Sequence, residues 1–194
     1  MTSTLASLIW VLGIVSWCVI RFPYQRRARK FKVSTHKRSL EERLLLSGAT
    51  VGLVIVPTLW LLTGFPQSLN TTFHPVLATM GAVCMIAFLW LFHAVHRQLG
   101  RNWSITLEIR EDHALVTGGL FKHIRHPMYS SFWLWAIAQA LLLPNWLAGF
   151  AGLVSIAALY FGRVAREEAM MRETFGPQYD AYMNRTKRIV PWIM

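Results

Sequence analysis

Two polar stretches in an otherwise apolar chain hold the residue types that chemistry would need. The first, HALVTGGLFKHIRHPMY from His113 to Tyr129, gathers histidines, an arginine and a tyrosine around a glycine pair. Gly118 and Gly119 permit a tight turn with backbone close to a ligand, and Pro127 suits the first turn of a helix. The second, RVAREEAMMRETFGPQY from Arg163 to Tyr179, continues directly from an apolar run. Arg163 and Glu167 stand four apart, so on a helix they share one face beside the membrane boundary, where a charged pair is a site candidate. Glu168, Arg166 and Arg172 read instead as a solvated face, with pairs worth a few tenths of a kcal/mol, about 0.3 each. Met170 and Met171 read as packing or lipid-facing residues, and Tyr179 and Tyr182 as a lid over the site. His93 and His96, taken with His123 and His126, raise the question of a metal, but no nearby Cys or Asp completes a ligand set and no metal site is expected. No GxGxxG follows a strand-like run, so a Rossmann dinucleotide site is not expected either.

The elements that must position these residues are membrane helices. The chain is 54% hydrophobic and only 15% charged, far from the balance of a water-soluble protein. Five apolar stretches, 5–20, 44–62, 73–95, 129–143 and 146–161, contain no Lys, Arg, Asp or Glu. About 20 helical residues cross ~30 Å of hydrocarbon, which the second and third stretches satisfy and the other three approach. The first lacks the charged start and cleavage site of a signal peptide and is expected to be retained. Only Pro144 and Asn145 separate the last two, so they form a helical hairpin whose close contact Ala136, Ala140, Ala148, Gly152 and Ala157 would permit.

Charge then sets the topology. All 20 basic residues lie within 21–43, 97–125 and 163–188, which are alternate connections. The positive-inside tendency places the N-terminus outside and the C-terminus in the cytoplasm, an arrangement that five spans satisfy. The net charge of +11 and the run Arg26–Lys32 point to anionic lipid headgroups as partners rather than nucleic acid. Cys18 and Cys84 have no spacing that suggests a disulfide framework or a zinc site.

In order and spacing, HALVTGGLFKHIRHPMY, then an arginine and paired glutamates after an apolar hairpin, then FGPQYDAYMNRTKRIVPW, resembles the isoprenylcysteine carboxyl methyltransferase family and its relatives among membrane phospholipid methyltransferases. The resemblance runs from about Thr106 to Trp192, and the first three helices carry no such signature. It implies S-adenosylmethionine as methyl donor, with S-adenosylhomocysteine as product, held by the C-terminal elements. It further implies that the backbone of His113, Ala114, Leu115 and Val116 meets the nucleoside and that Phe121 lines the pocket. Arg125, His126, Pro127, Met128 and Tyr129 correspond to the family's HPxY cofactor contacts and the residue before them. Glu167 corresponds to the acidic residue that touches the cofactor, and Arg163 to the one that holds the acceptor carboxylate, which makes these two the catalytic pair. The family usually has Tyr where Phe121 stands, so one hydrogen bond is lost while the aromatic face is kept.

Methyl transfer from a sulfonium is an in-line displacement, so positioning supplies much of the acceleration. A carboxylate acceptor is already ionised at neutral pH and needs a cation to hold it, whereas an amine acceptor needs a base such as Glu167, Glu168 or a His. The expectation is an all-α, polytopic integral membrane protein of five transmembrane helices. It forms one domain over 1–194, with a three-helix part at 1–100, a catalytic part at 101–194 that includes the hairpin 129–161, and a cofactor pocket facing the cytoplasm. Its expected activity is methyl transfer to the carboxylate of an isoprenylated cysteine or similar lipophilic acid. A phospholipid N-methyltransferase is the alternative; a sterol-reductase-like enzyme and a non-catalytic lipid-binding protein are more distant. The sequence carries no signal for an oligomeric state.

Overall fold

The computed structural model describes residues 1–28, 33–36, 39–100, 103, 108–110 and 114–191. His113, expected to meet a cofactor, lies outside the described residues.

The apolar stretches become helices. These are α1 (Ser3–Ala28), α2 (Leu40–Thr50) and α3 (Val56–Thr63), joined by a π-helical turn at Val51–Ile55, then α4 (Pro75–Leu99), α5 (Pro127–Leu142), α6 (Trp146–Phe175) and α7 (Pro177–Arg185). Ser39 caps α2 by accepting from the Glu42 amide at 3.1 Å, and Asn145 caps α6 by accepting from the Ala148 amide at 2.9 Å. Helix α1 turns Ala6, Trp10 and Gly13 inward, while Leu12, Val19 and Phe22 join Leu62, Ile86, Val154 and Phe161 on an exposed apolar surface. In a chain this apolar, such a surface is where lipid chains lie.

Four units are long and apolar enough to cross a membrane: α1, the continuous Leu40–Thr63, α4 and α6. The protein is therefore a multi-pass membrane protein. The expected fifth span, α5, has 16 residues and rises about 24 Å, less than the ~30 Å of hydrocarbon. By length and composition four helices qualify as spans, and α5, whose first residue is Pro127, falls short of that length. The helical class holds with one departure, an antiparallel ribbon of β1 (Val33–His36) and β2 (Glu108–Arg110) that joins two basic connections.

At the opposite end the two charge-free connections meet. Asn145 Nδ2 donates to the Pro66 carbonyl at 3.1 Å and to Asn70 Oδ1 at 2.8 Å, and Trp60 Nε1 donates to the same oxygen at 2.9 Å. The basic and uncharged connections thus segregate to two ends of the helices.

The π turn follows from Pro57. Proline has no N–H to give, and the Val56 amide donates to Val51, so the Gly52 carbonyl needs a partner outside its own helix. Gln139 of α5, fully buried, supplies it through Nε2 at 3.0 Å and also donates to the Ala148 carbonyl at 2.8 Å. Trp10 Nε1 completes the amide by donating to Gln139 Oε1 at 3.4 Å. One side chain ties α1, α5, α6 and the π turn together. The hairpin closes as expected, with Gly149 of α6 set so near α5 that a Cβ there would lie 3.4 Å from Ala140 Cα.

Candidate functional site

The site forms where α5 begins and α6 leaves its apolar stretch. The chain after α7 returns beside the segment preceding α5. The amides of Arg125 and His126 donate to the carbonyls of Lys187 and Arg188 at 2.7 and 2.8 Å, and the Lys187 amide donates to His123 at 3.2 Å. The two polar stretches flanking the hairpin are thereby clamped together.

Glu168 is the hub of the clamp. Its buried carboxylate accepts from Arg125 Nε at 3.1 Å, His126 Nε2 at 3.3 Å, and Arg188 Nε and Nη2 at 3.2 and 2.8 Å. Arg125 also donates to the carbonyls of Thr186 and Met183. The solvated face expected for Glu168, Arg166 and Arg172 therefore needs correction at Glu168. Residue 168 faces α5 and the returning tail, whereas Arg166 pairs with Glu41 and Arg172 with Asp180 at the surface, as expected.

Glu167 points the other way. It accepts from the Tyr129 hydroxyl at 3.1 Å and lies 3.7 Å from His126 Nδ1 and 3.8 Å from Arg163 Nε. His126 thus stands between two carboxylates. Burial alone would lower its pKa, but the hydrogen bonds and charges of Glu167 and Glu168 outweigh that and raise it above the ordinary value.

Arg163 is buried on the α6 face that carries Glu167, and Glu42 approaches its Nη2 at 3.6 Å. Glu42 is itself only 1% exposed. From sequence its place three residues after Ser39 reads as a capping box; nothing there reveals that its carboxylate turns toward α6.

A cavity of about 270 Å³ joins these groups. Its polar end is lined by Ala114, Leu115, Val116, Phe121 and the run Arg125 to Tyr129, with Arg163 and Glu167 opposite. All the expected site residues except His113 are therefore gathered around one space. Met170, Met171, Tyr179 and Tyr182 close this end. The two tyrosines are buried, and Tyr182 donates to the Phe121 carbonyl at 2.7 Å, its phenol pushed up to about 12 by burial. The other end is apolar, walled by Leu46, Leu53 and Val54 with Phe132, Trp135 and Leu159. Sequence reasoning missed Glu42, Glu168, Arg188 and the lining from the π turn. The four histidines separate: His93 and His123 are exposed, and His96 is buried with Nδ1 2.8 Å from the Phe92 carbonyl.

Residues 78–173 match the family described as isoprenylcysteine carboxyl methyltransferase. The matched segment is 96 residues long, just under half of the chain, and through it the chain is similar to that family. The match begins inside α4, earlier than the resemblance in sequence suggested, and takes in the helix that packs along α5. Protein-S-isoprenylcysteine O-methyltransferase B of Arabidopsis thaliana is 33% identical over 96 residues, 48% of this chain and 49% of that protein. The Schizosaccharomyces pombe protein-S-isoprenylcysteine O-methyltransferase is 29% identical over 133 residues, 66% of this chain and 56% of its own. A solved structure of the eukaryotic intramembrane Ras methyltransferase, an isoprenylcysteine carboxyl methyltransferase, aligns with TM-score 0.57 and 25% identity, covering 76% of this chain and 52% of that one. The chain spans about half the length of these relatives.

Proposed function

We propose that the protein methylates the carboxylate of an isoprenylated cysteine or a similar lipophilic acid, using S-adenosylmethionine. The observation that carries this reading is a continuous cavity, polar at the α7 end and apolar toward the π turn, with Arg163 in its wall. An amphiphile with an acidic head and an isoprenoid chain has that same division.

The residues at the polar end suit the proposed donor. Phe121, Tyr179 and Tyr182 offer aromatic surface, Glu167 a carboxylate, and residues 114–116 backbone; these are groups that attract a sulfonium-bearing amino acid without attacking it. When bound, the donor supplies an electrophilic methyl group. The protein's part is to hold and align. Tyr129 and His126 fix the Glu167 carboxylate, and the Arg163 contacts at 3.6 and 3.8 Å are long enough to yield to a bidentate acid. An acid already ionised needs no base, which agrees with a site whose carboxylates are occupied by His, Arg and Tyr donors. An amine acceptor would have to displace one of them.

The arrangement belongs to one membrane domain. We place the basic connections and the cofactor pocket on the cytoplasmic side and the N-terminus outside, with α5 as a short fifth crossing.

The test is a radiolabelled methyl-transfer assay in detergent or vesicles, with a farnesylated cysteine analogue and phosphatidylethanolamine as competing acceptors, alongside calorimetric titration with S-adenosylhomocysteine. Methyl transfer to the acid with 1:1 binding is expected. Transfer to the amine alone would move the chain to the phospholipid reading, and NADPH binding with no response to S-adenosylhomocysteine would remove the methyltransferase reading.

A further inference from the structure

Glu42 brings a carboxylate to the site from a part of the chain that the family match at 78–173 leaves out. It heads the face of α2 that borders the cavity. Glu42, Leu46, Ala49 and Leu53 recur at helical spacing, and the last three line the cavity wall. Helix α2 packs along α6, which brings Glu42 Oε1 to 3.6 Å from Arg163 Nη2. The Glu42 side chain is only 2% exposed, so water does little to screen its charge.

Arg163 therefore has two carboxylates about it already, Glu42 near Nη2 and Glu167 3.8 Å from Nε. The two differ in how they are held. Glu167 sits one turn along the same helix, with the Tyr129 hydroxyl and His126 to fix it, whereas Glu42 comes from another helix. An acid bound at Arg163 becomes the third anion around one guanidinium, and like charges this close repel at a buried site. Methyl transfer relieves that crowding. The O–CH₃ bond forms as the sulfonium S–CH₃ bond breaks, so the acid becomes a neutral ester and the donor a neutral thioether. Arg163 then has no anion on the ligand, and Glu42 stands beside it.

We infer that Glu42 is an internal counter-ion of Arg163 that competes with the acceptor's carboxylate. The acid displaces the Glu42 contact on binding, and the contact re-forms once the acid has become an ester, which favours release of the product. At 3.6 Å the contact is longer than a hydrogen bond, as an exchangeable pair requires. This deepens the proposed methyl transfer and rests on it. The acceptor's head group stays at Arg163, and Glu42 sets how strongly that arginine distinguishes acid from ester.

Binding is measured on the intact chain in detergent, without donor, by tryptophan fluorescence, since Trp17 and Trp135 line the apolar arm. The probes are N-acetyl-S-farnesylcysteine and its methyl ester, and the ratio of their affinities is the quantity read. Glu42→Gln should raise that ratio in favour of the acid by about 10-fold or more, the effect of withdrawing one unit charge a few ångströms from a bound anion. Its affinity for S-adenosylhomocysteine should stay unaltered. Glu42→Asp draws the carboxylate back by one methylene and should move the ratio the same way by a smaller factor, so the direction is read even if Gln unfolds the protein. Glu41→Gln makes the same change in net charge one residue away, at a side chain 64% exposed, and should leave the ratio as it was. In an Arg163→Gln background, Glu42→Gln should gain nothing, because the coupling runs through that arginine. The inference is overturned if Glu42→Gln, or Glu42→Asp where Gln does not fold, keeps or lowers the ratio. It is equally overturned if Glu41→Gln raises the ratio as much, if the gain survives without Arg163, or if both probes and S-adenosylhomocysteine weaken together, as a purely structural residue would cause. Acid methylated by the unaltered protein with the ratio unmoved at Glu42 removes the counter-ion and leaves the activity standing; acid not bound by the unaltered protein at all removes both.

Discussion

Replacing Glu168 with Gln tests whether the clamp at the mouth of the pocket is built on one buried charge. The unaltered carboxylate is 5% exposed and faces nitrogen atoms of Arg125, His126 and Arg188 between 2.8 and 3.3 Å away. Glutamine preserves the shape but removes the charge, and it turns an N–H₂ toward groups that can only donate. Removing one partner from a buried ionic cluster costs about 3–5 kcal/mol, because the remaining charges stay desolvated. Arg188, 43% exposed, can recover water, which places the expected loss toward 3 kcal/mol. The measurement is thermal and denaturant unfolding of the detergent-solubilised protein, with S-adenosylhomocysteine titration on the folded fraction. Arg166→Gln is the control. It breaks an ion pair with Glu41 in which the side chains are 37% and 64% exposed, and such pairs are worth less than about 1 kcal/mol. Glu168→Gln should lose both stability and ligand affinity, while Arg166→Gln should lose neither. If the two variants unfold alike, Glu168 is a surface residue and the clamp is not electrostatic.

Other consequences can be measured on the same preparation. The raised His126 pKa means the folded protein holds that proton more tightly than the unfolded chain does, so its stabilisation is complete below about pH 6.5 and lost as pH rises through the folded value. The unfolding midpoint should therefore fall across the alkaline side of neutrality, and His126→Gln should flatten that slope; an unchanged slope refutes the assignment. Arg163→Lys should lower kcat for the acid acceptor by 10-fold or more, about 1.4 kcal/mol, while leaving S-adenosylhomocysteine affinity within a factor of about two, since one ammonium cannot reproduce the guanidinium fork. Equal losses in both would place Arg163 on the cofactor. Gly52→Ala would drive a Cβ into Ser155 and the Ala151 carbonyl, a backbone atom 2.5 Å away, and should cost about 1–3 kcal/mol. Gly48→Ala, with nothing within 4 Å, should be neutral or stabilising; similar melting curves for the two would contradict the packing of the π turn on α6.

Much of this is legible in the sequence. Alternating basic connections and five uncharged stretches specify helices with two unlike ends, and Asn70, Asn145 and the ribbon show those ends assembled. The motif residues from Ala114 to Tyr129, with Arg163 and Glu167, converge because a two-residue turn returns α6 along α5. Glu168 was misread because adjacent residues on a helix face directions about 100° apart, and the sequence does not say that a tail 20 residues later folds back to cover the second direction. Glu42 was hidden by its plausible role at a helix start. Gln139 was passed over as one polar residue in an apolar run, although a buried amide requires partners, and Pro57 had already orphaned a carbonyl for it to meet.

The short α5 accounts for the depth at which the polar end of the cavity lies. From the turn at Pro144, 16 helical residues descend about 24 Å and end at Pro127. The same rise along α6, counted from Trp146, ends near Gly162, just before Arg163 and Glu167. Hydrocarbon is ~30 Å thick, so these polar groups begin about 6 Å inside its edge if the turn lies at the opposite boundary. A helix of ordinary spanning length would have carried His126 and Tyr129 out to the headgroups, away from the apolar arm that Phe132 and Trp135 line. On the proposed function, ending early would keep the polar residues level with the acyl region, where a lipid-anchored acid could reach them with its chain still surrounded by apolar side chains. The 30 residues of α6 rise about 45 Å, which leaves its last turns beyond the hydrocarbon to carry Glu168 and the tail that closes the polar end. A recessed start on one helix and an overlong neighbour together make a polar pocket whose entrance can face the bilayer.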